Sequence, residues 1–195
     1  MTHAAEGGGA HYTSMGLDNR KMAFWAFIGS ECLLFGSLLS TYLVYKGRSL
    51  VGPHPHEVLN IPFTSASTFD LLASSLMMVL ALAAVQRKDE RWAKIWLFST
   101  AFLGLLFLVG QVYEFSSFVH EGLKLNTNLF GATFYVLTGT HGAHVTVGVL
   151  WLLTHWLRLL RGHMPDAMTV EITGLYWHFV DVVWIVIFTL VYLIQ

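Results

Sequence analysis

Hydrophobic positions in this chain gather in five long, unbroken runs instead of alternating with polar ones. The runs cover about residues 22–44, 68–85, 93–119, 130–156 and 174–194. Each is near the roughly 20 residues that let an α-helix cross a ~30 Å hydrocarbon core. Period-two alternation, the mark of barrel strands, is absent. The pattern therefore predicts an all-α, polytopic membrane protein. One domain over 22–195 forms a bundle of five transmembrane helices, preceded by a flexible polar tail over 1–21. That tail, MTHAAEGGGAHYTSMGLDNRK, has no apolar core of the kind a signal peptide needs. His3 and His11 within it read as scattered histidines and not as metal ligands.

The polar stretches between the runs are short. KGRSLVGPHPHEVLNIPFTSAS carries three prolines and reads as a loop. QRKDERWAK reads as a tight charged turn, HEGLKLNTN as a short loop, and RLLRGHMPDAMTVEIT as a longer one broken by Gly162 and Pro165. Lys and Arg set the expected orientation. With five spans, Arg20, Lys21, Arg87, Lys88, Arg91, Lys94, Arg158 and Arg161 share one side, and Lys46, Arg48 and Lys124 the other. This places the N-terminus in the cytoplasm and the C-terminus outside.

Composition sharpens the picture. The chain is 55% hydrophobic and 12% charged, where soluble domains carry about 25% charged residues. A net charge of −1 gives no basic surface for nucleic acid. The one cysteine, Cys32, has no partner for an internal disulfide and reads as a small buried side chain.

Polar groups inside the apolar runs are the informative exceptions. They are Glu31 in the first run, Gln111 and Glu114 in the third, His141 and His144 in the fourth, and His178 and Asp181 in the fifth. A charge at a helix centre costs roughly 2.5–3.5 kcal/mol on insertion scales, so such groups face other helices and find partners. At ~1.5 Å per residue, Glu31, His141, His144 and Asp181 fall at overlapping depths. Depth allows Glu31 to meet a histidine of the fourth helix but does not choose between the two.

His141 and His144 lie at i, i+3 on one face, a spacing that some metal sites use. Of further histidines at that depth only His178 is available, and it is offset. Hydrogen bonding within a small-residue interface, with Gly139, Gly142, Ala143 and Gly148 nearby, is the favoured reading. Glu31 leaves two readings open: a protonated acid hydrogen-bonded to a neighbour, or a proton-handling group. His178 and Asp181, in YWHFVDVVW, are expected to fix the register of the last helix by hydrogen bonding. Surface proton collection is the alternative. Glu114 and His120 are expected to be interfacial, beside Tyr113 in an aromatic belt. Phe24, Trp25, Phe27, Tyr176, Trp177, Phe179 and Trp184 read as packing and lipid contact.

No phosphate loop, nucleophile elbow, HExxH, CxxC or CxxCH is present. The residues alone reach a compact helical membrane subunit with a few buried, paired polar groups. A small proton-coupled transporter, with Glu31 and His144 as its relay, is a reading from another class. It is weakened by the lack of inverted repeats and broken helices. A purely structural scaffold is a third.

Four ordered segments carry a resemblance. FWAFIGSECLLF, GQVYEF, FGATFYVLTGTHGAHVTVGVLW and YWHFVDVVWIVIFTLVYL together resemble subunit III of the haem-copper terminal oxidases, in its five-helix bacterial form. The resemblance implies a bacterial plasma-membrane subunit that itself holds no haem, copper or other metal. It implies docking against the large catalytic subunit I, beside other oxidase subunits. Those partners carry the haems and copper that reduce oxygen to water. The subunit would preserve subunit I through turnover and support proton uptake, with cytochrome c as the expected donor and quinol as the alternative.

By position, the family's carbodiimide-reactive glutamate is matched by Glu31 and its histidine partner by His144. Gln111, Glu114, His141, His178 and Asp181 match further polar positions. Family members hold phospholipid in a cleft, and Phe27 and Arg158 match lipid-contacting positions. Longer mitochondrial forms have two additional N-terminal helices that this chain lacks, which puts in doubt any lipid site those helices complete.

Overall fold

The computed structural model describes residues 18–46, 61–120, 122–123 and 129–194. Five helices among them are long and apolar enough to cross a membrane. They are α1 (Asn19–Tyr45), α2 (Ile61–Gln86), α3 (Glu90–His120), α4 (Leu129–Leu160) and α5 (Ala167–Ile187). A π-helical turn, Phe188–Leu193, continues α5 without a break. Residues 1–17 of the expected tail lie outside the described residues, as do residues 47–60 of the first loop.

Several helices extend past their apolar runs, and local chemistry explains how. α1 starts at Asn19, inside the expected tail, because the Asp18 carboxylate caps it by accepting from the Arg20 amide at 2.8 Å. α2 starts at Ile61, inside the expected proline-rich loop. Pro62 suits a first turn, where its missing N–H has no intrahelical acceptor. The following hydroxyls bond back to their own helix: Ser65 donates to the Ile61 carbonyl and Thr68 to the Thr64 carbonyl, both at 2.7 Å. α5 likewise begins at Ala167, inside the expected fourth loop, and Thr173 donates to the Thr169 carbonyl at 2.9 Å.

Three helix ends share one stop signal. After α4, the Gly162 amide reaches the Leu159 carbonyl and the His163 amide reaches Arg158, with Gly162 at φ +76°. This is a Schellman motif, whose left-handed residue suits glycine. Gly122 closes α3 the same way at φ +91°, and Lys88 closes α2 at φ +58°.

The order of packing places α4 and α5 at the centre. α1 lies against α4 and α5. α2 and α3 pair with each other on the far side, with α3 against α4 and α2 against α5. α1 joins the bundle through one narrow seam, Ile28, Phe35 and Tyr42, seven residues apart. That spacing brings every second turn back to the same face. Cys32 misses the seam and is exposed, contrary to the buried position expected for it. Large apolar side chains such as Leu33, Phe69, Leu76 and Val112 cover the outer faces. On a helix apolar all round, these are the lipid-facing positions.

Trp177 of α5 is the point where four helices meet. Its ring lies against Gly104 of α3 and Gly148 of α4, and its indole N–H donates to Ser74 Oγ of α2 at 2.9 Å. Small residues here bring the backbones close, as in other membrane interfaces. Of the small residues expected around the histidines, Gly142 and Gly148 make such contacts. Gly139 has open space beside it, and Ala143 is exposed.

Candidate functional site

The polar groups of the membrane-spanning helices resolve into separate clusters. The first joins α1 to α4. His144 Nδ1 lies 2.8 Å from the Thr140 carbonyl, which can only accept, so Nδ1 carries a hydrogen. Nε2 then points at Glu31 Oε2, 3.1 Å away. One proton between these atoms serves either as Glu–COOH donating to a neutral imidazole or as imidazolium donating to a carboxylate. The pair thus stays net neutral with its proton on either partner, which lowers the cost of placing both in the bilayer. The His144 and Glu31 side chains are 19% and 15% exposed, so the pair sits at the wall of the bundle. Phe35 packs its ring 5.0 Å from His144, and the Tyr176 hydroxyl donates to the His144 carbonyl at 3.0 Å.

His141, one turn earlier, does something different. It is fully buried, stacked on Trp184 with ring centres 4.9 Å apart, and flanked edge-on by Phe107. Neither ring nitrogen has a hydrogen-bond partner. The two histidines of α4 therefore do not converge on a common point. Among the described residues, no three of His, Cys, Asp and Glu gather into a metal-holding set.

The second cluster joins α2 to α5. Ser75 Oγ donates to Asp181 Oδ2 and lies 2.9 Å from His178 Nδ1. The link between His178 and Asp181 thus runs through a serine of the neighbouring helix. Asp181 is 3% exposed, and its Oδ1 has no partner.

The third cluster surrounds Glu114. Six residues from the end of α3 it is buried, because it shares a face of α3 with Phe107, Gln111 and Phe118 that turns into the bundle. Thr64 donates to its Oε1 at 2.6 Å and Tyr192 to its Oε2 at 3.2 Å. Tyr192 lies in the π-helical turn and is buried. Gln111 donates to the Thr138 carbonyl at 2.9 Å, and its side-chain oxygen sits in the space left by Gly142. Tyr113 and His120 are exposed, as an interfacial position requires.

Phe27 and Arg158 are both exposed, near the first turns of α1 and the last turn of α4. Lys21 and Glu171 form an ion pair at 2.7 Å at the same end of the bundle.

Several members of these clusters had no clear signal in the sequence. Thr64, Thr68, Ser74 and Ser75 line α2 with hydroxyls that meet Glu114, Trp184, Trp177 and Asp181 in turn. Their helical spacing was visible, but Ser and Thr are common and carry no charge to mark them. His155 is also buried and donates from Nε2 to Thr173 Oγ1 at 2.9 Å, since the threonine hydroxyl is already committed to Thr169.

Comparisons with known proteins agree along the whole chain. A family model described as cytochrome c oxidase subunit III matches residues 3–195. Cytochrome c oxidase subunit 3 of Bacillus sp. (strain PS3) is 43% identical over 177 residues, covering 90% of this chain and 86% of that one. Probable quinol oxidase subunit 3 of Staphylococcus saprophyticus is 39% identical over 177 residues, covering 89% and 88%. Quinol oxidase subunit 3 of Bacillus subtilis (strain 168) is 41% identical over 174 residues, covering 88% and 85%.

Proposed function

The chain belongs to the cytochrome c oxidase subunit III family, and from that premise we propose that it is a non-redox accessory subunit that sustains proton uptake by its oxidase. It is a multi-pass protein of the bacterial plasma membrane and works within a multi-subunit haem-copper oxidase. The finer reading is that it docks directly on subunit I, whose haems and copper reduce oxygen to water, and adds no catalytic centre of its own.

The observation that carries the proton role is the Glu31–His144 pair. A carboxyl and an imidazole 3.1 Å apart at the wall of a bundle, each mostly buried, can take up, hold and pass on one proton. Positive charge favours the N-terminus in the cytoplasm and the C-terminus outside. On that orientation Arg158 lies at the cytoplasmic end and, with Phe27, offers a guanidinium and a ring to a phospholipid. A small transporter is the weaker reading. Transporter sites lie at broken helices near the midplane, whereas α1 to α4 run unbroken and the π-turn lies at the end of α5.

Cytochrome c is the proposed donor, in keeping with the relative from strain PS3, while the relatives from B. subtilis and S. saprophyticus favour quinol. Purification of the chain from its native membranes in mild detergent tests both parts. The expected eluate carries reduced-minus-oxidised haem bands and consumes oxygen with reduced cytochrome c. The same oxidase stripped of this chain is expected to start at a similar rate and inactivate after fewer turnovers. Oxygen consumption with quinol alone would reassign the donor, and unchanged endurance without the chain would remove the proton role.

A further inference from the structure

The Ser75–His178–Asp181 cluster is separate from the Glu31–His144 pair and is not used by the function proposed above. While Asp181 is ionised, the cluster's hydrogen-bond directions follow from the chemistry of the three groups. A serine hydroxyl has one hydrogen, and here it points at Asp181 Oδ2. Toward His178 the same oxygen can only accept, so His178 Nδ1 carries a hydrogen and donates it across 2.9 Å. The three groups thus form a continuous, directed chain: Nδ1–H to Oγ, then Oγ–H to Oδ2. Its outer end, His178, is partly exposed, and its inner end, Asp181, is buried at 3% exposure. Asp181 Oδ1 has no partner at all. An unpartnered oxygen costs less to bury on a neutral acid than on an anion.

We propose that Asp181 is a second, reversible proton-holding site, filled and emptied through His178 and Ser75. A proton that reaches the bundle surface at His178 adds to its Nε2. The Nδ1 proton passes to Ser75 Oγ as the serine proton passes to Asp181 Oδ2. Ser75 is regenerated, His178 is left neutral with hydrogen on Nε2, and Asp181 holds one proton. Every bond has then reversed direction, so release follows the same path backward. No oxidant, metal or second reactant is needed. Along the α5 axis His178 lies about 16 Å and Asp181 about 21 Å from Ala167, so the proton is stored deep in the bundle.

Other ionisable groups on the packed helices face away from this cluster. Glu31 of α1 and His144 of α4 bind each other, His141 of α4 is boxed by rings, and Glu114 of α3 is held by Thr64 and Tyr192. Asp70 of α2 points about 140° round the helix from Ser75.

The purpose of such a store rests on the oxidase reading above, but its existence does not. Infrared spectroscopy of the purified oxidase complex reads the proton on Asp181 itself. A protonated carboxyl band is expected in the wild type, absent in Asp181→Asn and moved in Asp181→Glu. Its exchange in heavy water is expected to slow by on the order of 10²-fold in Ser75→Ala and to recover in Ser75→Thr. Ser75→Ala removes one oxygen and leaves both ends of the relay, so it is the variant least able to disturb folding. A spectrum with no band that depends on Asp181, or exchange indifferent to Ser75, would overturn the proposal. The band would persist even if Glu31→Gln left turnover unchanged, which keeps the two failures apart.

Discussion

Gly148→Ala is expected to destabilise the bundle by about 1–3 kcal/mol, the usual cost of forcing a carbon into a filled core. A methyl group on Gly148 would lie 2.8 Å from two ring carbons of Trp177. The ring cannot retreat, because a methyl group on Gly104 across from it would lie 2.5 Å from the same ring. The indole N–H is also tied to Ser74. Thermal melting of the complex in mild detergent reads the loss. Trp177→Phe is itself expected to be destabilising, since it vacates space and leaves Ser74 without its donor. Combined with Gly148→Ala, however, the smaller ring should recover part of the cost, giving a coupling energy in a double-mutant cycle. Strictly additive effects would mean that the tryptophan is not clamped between the two glycines.

Glu114→Leu is expected to cost about 1–3 kcal/mol. Leucine matches the side chain in size but takes away the carboxylate that accepts from both Thr64 and Tyr192, and losing a buried acceptor costs about 1–3 kcal/mol. Hydrogen bonds between membrane helices average only about 0.6 kcal/mol because the unfolded reference finds other partners, which holds the loss toward the lower end. Glu114→Gln should cost less, since its carbonyl still accepts from one of the two donors. Equal melting temperatures for Glu114→Leu and wild type would show that this cluster does not tie α2, α3 and the C-terminal turn together.

The number and type of the helices are legible in the sequence because a bilayer imposes a length and a composition that no loop satisfies. Their ends are not. Pro62, Ser65 and Thr173 look like loop residues, yet proline suits a first turn and the hydroxyls bond their own backbone. Cys32 was misplaced for a related reason. An apolar helix in lipid needs only one packed seam, so apolar surroundings in the sequence do not mean burial in the bundle. Distance from a helix end says nothing of whether Glu114 faces the bundle. Its rotational position, on the face of Phe107 and Gln111, decides the matter.

For the candidate site, the ionisable residues stood out against an apolar background, but their partners did not. Depth allowed Glu31 to meet either histidine of α4. The three-residue step between them, about 300° of rotation, turns His144 toward α1 and His141 into the rings of Trp184 and Phe107. The π-turn that contains Tyr192 has no signature in FTLVYL, and the serine that bridges His178 to Asp181 comes from a helix a hundred residues away in the chain. No residue pattern in this chain marks the electron donor.

The most direct test of the account is the endurance of an oxidase carrying Glu31→Gln. Glutamine keeps the size and a hydrogen bond to His144 but cannot exchange a proton. The variant is expected to assemble with normal haem bands, take up protons more slowly, and inactivate after fewer turnovers than the wild type. An assembled Glu31→Gln oxidase with wild-type proton uptake and wild-type endurance would contradict it, leaving Glu31 and His144 as a structural clasp between α1 and α4.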